Sequence, residues 1–131
     1  MIVADTNLIA YLLIAGPMSD AAQRIFDKDG EWISPTVWHF ELLNVLATSV
    51  RTGHLPKIDA QDIWAHAPAF VRDAEVPPLE VLDLATDSKF ATFDCYYVVL
   101  ARKLRVPLVT ADKRMLEQFG DVAISIESFA K

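Results

Sequence analysis

Four acidic residues stand where they could share one site. Asp5 follows the apolar run Ile-Val-Ala, Asp94 precedes Cys-Tyr-Tyr-Val-Val-Leu, and Asp112 lies two residues beyond Pro-Leu-Val-Thr. Taken singly, each aspartate fits a helix N-cap, because its carboxylate can accept an otherwise orphaned backbone N–H. Glu41 has a different setting. It is the only formally charged residue between Ile33 and Val50, with Val37, Trp38, Asn44 and Val45 as its neighbours at helical spacing. A carboxylate buried on such a helix needs a partner or a metal. The alternatives are a salt bridge to an arginine from elsewhere, or a helix turned so that Glu41 reaches solvent.

Brought together, four carboxylates repel one another unless a cation holds them. An oxygen-only donor set selects magnesium or manganese over zinc, and His39, His54 and His66 show no zinc-like spacing. A divalent ion in such a site can activate water and stabilise the leaving oxygen of a phosphodiester. Asp5 and Asp94 are the first expected ligands, with Asp112 and Glu41 completing the set. Thr6, Asn7, Asn44 and Thr110 are candidate donors that would orient those carboxylates. They are equally readable as ordinary polar residues of turns and helices.

The elements that must position these residues alternate. Met1–Ala4 reads as a buried strand and Thr6–Ala15 as a helix stopped by Gly16-Pro17. A second helix is expected over Met18–Lys28, a strand over Trp32–Ser34 and a long helix over Thr36–Arg51 ending at Gly53. Helices follow over Ile58–Phe70 and Pro78–Phe90, with a short strand between them at Ala74–Val76. The pattern then gives a helix over Cys95–Leu104, a strand over Pro107–Thr110, a short helix over Lys113–Phe119 and a last strand over Val122–Ile126. Such alternation predicts an α/β fold with a parallel sheet covered on both faces. The ligand site of that fold lies beyond the carboxyl ends of its strands, where the strand order reverses. No repeat, low-complexity stretch or long linker divides the chain, so residues 1–131 are expected to form a single domain.

Composition bounds the possibilities. More than half of the 131 residues (53%) are apolar, enough for one substantial core and against bulk disorder. The apolar run Leu8–Gly16 is too short to span a bilayer, and it follows Asp5 rather than a basic segment, unlike a signal peptide. Neither a membrane nor a secretory route is expected. Cys95 is the single cysteine, which leaves no internal disulfide and fits a reducing, cytoplasmic compartment. A net charge of −6 argues against binding nucleic acid through bulk charge, although bound cations would offset acidic groups locally. Arg102, Lys103, Arg105, Lys113 and Arg114 form a basic cluster whose plainest reading is a solvated helix face.

Four segments in order resemble the PIN-domain nucleases, and specifically the VapC-type toxins of toxin–antitoxin pairs. They are Val-Ala-Asp5-Thr-Asn, Trp-His-Phe-Glu41-Leu-Leu-Asn44, Thr-Phe-Asp94-Cys-Tyr-Tyr97 and Leu-Val-Thr110-Ala-Asp112. The likeness covers nearly the whole chain. It implies a five-stranded parallel sheet, magnesium-dependent cleavage of RNA, a homodimer, and inhibition by a small antitoxin protein. It also implies that the family's four acidic positions fall on Asp5, Glu41, Asp94 and Asp112. Cys95 departs from the small residue usual after the third acid, an expected change in packing rather than chemistry. Three other readings compete. A receiver-like signalling module would need an adjacent acidic pair after the first strand and a lysine after the last, where this chain has Thr6-Asn7 and Glu127. A dehalogenase-like phosphatase would need Asp at position 7, which is Asn. A PIN-like domain that only binds RNA or protein would have no need of all four acids.

Overall fold

The strand segments are short, and the central ones are apolar runs with no polar alternation, the pattern of strands covered on both faces. In the computed structural model, which describes residues Met1–Lys131, these are β1 (Ile2–Ala4), β2 (Trp32–Pro35), β3 (Val71–Ala74), β4 (Leu108–Thr110) and β5 (Ala123–Ser125). They form one five-stranded sheet in the order β3-β2-β1-β4-β5, every pair parallel. The helices between them are α1 (Thr6–Leu13), α2 (Ser19–Lys28), α3 (Trp38–Arg51), α4 (Lys57–His66), α5 (Pro78–Ser88), α6 (Thr92–Leu104), α7 (Lys113–Gln118) and α8 (Ile126–Ala130).

The chain steps from β1 outward through β2 to β3, returns across the sheet to β4, and steps outward again to β5. Parallel connections are right-handed, so reversing the direction of travel moves the connecting helices to the opposite face. The sheet is therefore flanked by helices on both sides, as expected. α6 packs across β1, β2 and β4, whereas α1 packs on α2, α3 and β4. The central strands are wholly buried: Ile2, Val3, Ala4, Leu108 and Val109 expose nothing, and Trp38, Leu42, Tyr97 and Val98 close over them.

Several boundaries differ from the sequence expectation. β3 occupies Val71–Ala74, not Ala74–Val76, because its ladder with β2 runs from Trp32↔Val71 to Pro35↔Ala74. The preceding helix stops at His66, and Pro68 sits in a 3-10 turn over Ala67–Ala69. α6 opens at Thr92, three residues earlier than expected, so Asp94 lies inside its first turn instead of ahead of it. α3 starts at Trp38, after a turn over Thr36 and Val37. The last strand ends at Ser125, whose hydroxyl caps an unexpected short helix, α8. No helix is long and apolar enough to cross a membrane.

Candidate active site

The order of the strands reverses between β1 and β4, and both strands end in an acidic turn. Their register pairs Ala4 with Val109, which brings Asp5 level with Thr110. Asp5 is 6% exposed and caps α1 by accepting from the Thr6 backbone N–H at 2.8 Å through Oδ1. Its Oδ2 accepts from the Thr110 hydroxyl at 2.6 Å and from the Asn7 amide at 3.2 Å. Asn7 Oδ1 in turn accepts from the Ala111 backbone N–H at 3.2 Å, and Thr110 Oγ1 accepts from that of Asp112 at 3.0 Å. The ends of β1 and β4 are thus tied together through polar side chains at the switch point.

Asp112 caps α7: its Oδ1 accepts from the backbone N–H groups of Arg114 and Met115 at 2.9 and 3.2 Å. Asp94 caps nothing. It makes no hydrogen bond and no salt bridge, so the capping alternative does not apply to it. Glu41 has no arginine partner either. Its Oε1 accepts from the Tyr97 hydroxyl at 2.5 Å and from the Thr6 hydroxyl at 3.1 Å, and those two hydroxyls lie 2.6 Å apart.

All four acids line one cleft of about 450 Å³, together with Thr6, Asn7, Phe40, Asn44, Val45 and Phe93. Of the four candidate orienting residues, Thr6, Asn7 and Thr110 each donate a hydrogen bond to one of the acids. Asn44 lines the cleft but hydrogen-bonds to none of the carboxylates. The histidines lie elsewhere: His39 pairs with Asp73, His54 with the Thr52 hydroxyl, and His66 with the Asp62 carbonyl. Within the basic cluster, Arg102 and Lys103 are neutralised by Asp121 and Glu80, as a solvated helix face would be. Arg114 lies over the Phe90 ring, 4.9 Å from its centroid.

Burial raises the pKa of Asp5 to about 7 against the pull of the Thr110 hydrogen bond, and the charges of Glu41 and Asp94 push it the same way. Asp94 is also raised, first by desolvation and then by Asp112 and Glu41, with the Arg114 cation opposing. In both aspartates desolvation leads, and the neighbouring carboxylate charges add to it. No three carboxylate, imidazole or thiolate side chains are drawn close enough to hold a metal ion as they stand. The donor chemistry nonetheless fits a hard cation. Glu41 uses only Oε1 and Asp112 only Oδ1 in hydrogen bonds, and both Asp94 oxygens are unused. Each of these acids keeps an oxygen for a ligand, and oxygen donors suit magnesium or manganese.

Two features escaped the sequence analysis. Tyr97 is fully buried and anchors Glu41. Its signal was the three-residue spacing from Asp94, which sets both on one face of a helix. Phe40 and Phe93, each directly preceding a cleft acid, flank the cleft; nothing in an apolar run distinguishes an exposed phenylalanine from a core one.

The PIN domain family model matches residues 2–122. Over 123 residues the chain is 28% identical to Ribonuclease VapC3 of Pyrobaculum aerophilum, spanning 90% of this chain and 94% of that protein. The crystal structure of PAE2754 from Pyrobaculum aerophilum superposes with a TM-score of 0.79 at 22% identity, covering 99% of this chain and 96% of the other. That likeness concerns the fold.

Proposed function

The chain belongs to the PIN domain family, and from that premise we propose that it is a magnesium- or manganese-dependent endoribonuclease, the toxin of a toxin–antitoxin pair. The observation that carries this reading is the convergence of Asp5, Glu41, Asp94 and Asp112 on one cleft at the switch point, three of them with carboxylate oxygens left unbonded. The similarity to a protein named Ribonuclease VapC3 supports RNA as the substrate. Residues 1–131 would act as one nuclease unit.

In this reading Asp5 and Asp94, completed by Asp112 and Glu41, hold the ion. When bound, it supplies Lewis-acid activation of water and neutralises charge on the phosphoryl oxygens. The chain's own groups prepare the site. Thr110, Asn7 and the Thr6 N–H fix both oxygens of Asp5. Tyr97 and Thr6 fix one oxygen of Glu41, which leaves its rotamer little freedom. Arg114, whose charge already acts on Asp94, is placed to attract the phosphate of a strand entering the cleft.

The reading extends to a cytoplasmic homodimer inhibited by a small antitoxin. An apolar groove between α3 and α4, lined by Leu43, Leu46, Val50 and Trp64 among others, suits a partner helix. Affinity capture from the host should recover a small protein encoded beside it; a strictly monomeric species without such a partner contradicts this part. The catalytic part is tested on a single-stranded oligoribonucleotide. Purified protein should cut it in magnesium or manganese, stop in EDTA, and resume when the metal is restored. Undiminished cutting in EDTA would overturn the metal-dependent reading.

A further inference from the structure

Phe40 and Phe93 are the only aromatic side chains among the large hydrophobic residues left exposed, at 71% and 56%. They come from different helices, α3 and α6, yet both line the acidic cleft. Both also line a smaller recess of about 330 Å³, with Thr36, Val37 and Tyr96. Neither ring takes part in any of the aromatic pairs or cation–π contacts found elsewhere in the molecule. Neither face is taken by another aromatic ring or by a cation. The hydroxyls of Thr36 and Tyr96 beside them make no hydrogen bond.

We infer that this aromatic recess is a nucleobase subsite, in which Phe40 and Phe93 stack an unpaired base of the strand whose phosphate lies at the carboxylates. The inference rests on the ribonuclease reading and names the class of substrate that site takes. Charge favours this occupant. With a net charge of −6 and four carboxylates in the cleft, the chain gains little from bulk attraction to phosphates. Stacking supplies affinity without charge, and it tolerates any sequence because every base has a π face. A base inside a duplex has no free face to offer, so the substrate is single-stranded or looped RNA at the point of cleavage. Each ring directly precedes a cleft acid in sequence, Phe40 before Glu41 and Phe93 before Asp94, which keeps the subsite next to the reacting phosphate. The Thr36 and Tyr96 hydroxyls are placed to meet polar edges of the base.

The test uses a single-stranded oligoribonucleotide cut in magnesium, and a copy with abasic residues flanking the cleaved bond. Phe40→Leu, Phe93→Leu and their double variant keep apolar bulk and remove the ring; Phe93→Trp restores a stacking face. Because both rings are exposed, melting temperatures should not move. The leucine variants should lose roughly 10-fold or more in kcat/KM on the intact strand, mostly through KM, and Phe93→Trp should recover it. Wild type should discriminate against the abasic strand by a similar factor, and the double variant should not discriminate at all. Equal cutting of intact and abasic strands by wild type would overturn the subsite. So would full activity of the double variant. A uniform loss on both strands, with an altered sedimentation coefficient, would mean that the patch contacts protein instead. Asp94→Asn, run in parallel, separates the two claims. If it is inactive while the leucine variants cut normally, the ribonuclease reading stands and the subsite fails. If wild type cuts no RNA, both fail.

Discussion

At the scale of single residues, the four acids and three donors beside them, Thr6, Asn7 and Thr110, could be picked out as candidates, whereas Tyr97, Phe40 and Phe93 could not. Asp5, Glu41, Asp94 and Asp112 are conspicuous in the sequence because a charge at a strand end or on an apolar helix is costly without a purpose. The group that anchors Glu41 is less visible: Tyr97 sits in a run of apolar residues, and its three-residue spacing from Asp94 gains meaning only once α6 lies over β1. Asp5 carries a consequence that can be measured. Its carboxyl titrates near 3.8 when unperturbed and about 7 in the fold. Between those values the unfolded chain releases a proton that the folded chain retains, so metal-free stability falls as pH rises through this window. Full expression of that shift would cost on the order of 4 kcal/mol above pH 7. A bound divalent ion opposes the same proton. The magnesium-induced rise in melting temperature should accordingly be larger at pH 8 than at pH 5.5. A rise that is equal at both, or larger at the lower pH, would remove Asp5 from the cation's ligands.

At the scale of elements, strongly apolar segments were found within a residue or two, and the errors fell where local and tertiary signals part. β3 is an edge strand bearing Arg72 and Asp73. Edge strands tolerate charge, which erases the apolar run that marked the central strands. α6 begins three residues early because Thr92 and Phe93 in its first turn are exposed, so that turn carries none of the apolar periodicity that marks the buried run from Cys95 onward. α7, only six residues long, depends on its cap. Asn caps about as well as Asp, whereas Ala costs about 1 kcal/mol. Asp112→Asn should leave the melting temperature of metal-free protein within about a degree or raise it, while Asp112→Ala should lower it by several degrees. Both should lose RNA cleavage. An active Asp112→Asn variant would confine this residue to capping.

At the scale of the whole molecule, the parallel sheet was legible from alternation, but the return from β3 to β4 was not, because strand order depends on which faces remain uncovered. That return sets Asp5 and Asp112 beyond the ends of adjacent strands, with Glu41 and Asp94 brought in on α3 and α6. It also explains the acidity: four of the eighteen acidic residues line the cleft, and the remaining fourteen face twelve lysines and arginines. Much of the net charge is thus concentrated where a cation would offset it. Asp94 gives the most direct access to this arrangement, because it caps no helix and accepts no hydrogen bond, so replacing it changes charge and little else. The decisive measurement is the rate of RNA cleavage in magnesium by Asp94→Asn relative to wild type, with melting in EDTA as the control for folding. A metal site at this cleft predicts a melting temperature equal to or above that of wild type, together with a loss of cleavage of about 100-fold or more. Cleavage near the wild-type rate by the folded variant would contradict the four-carboxylate site.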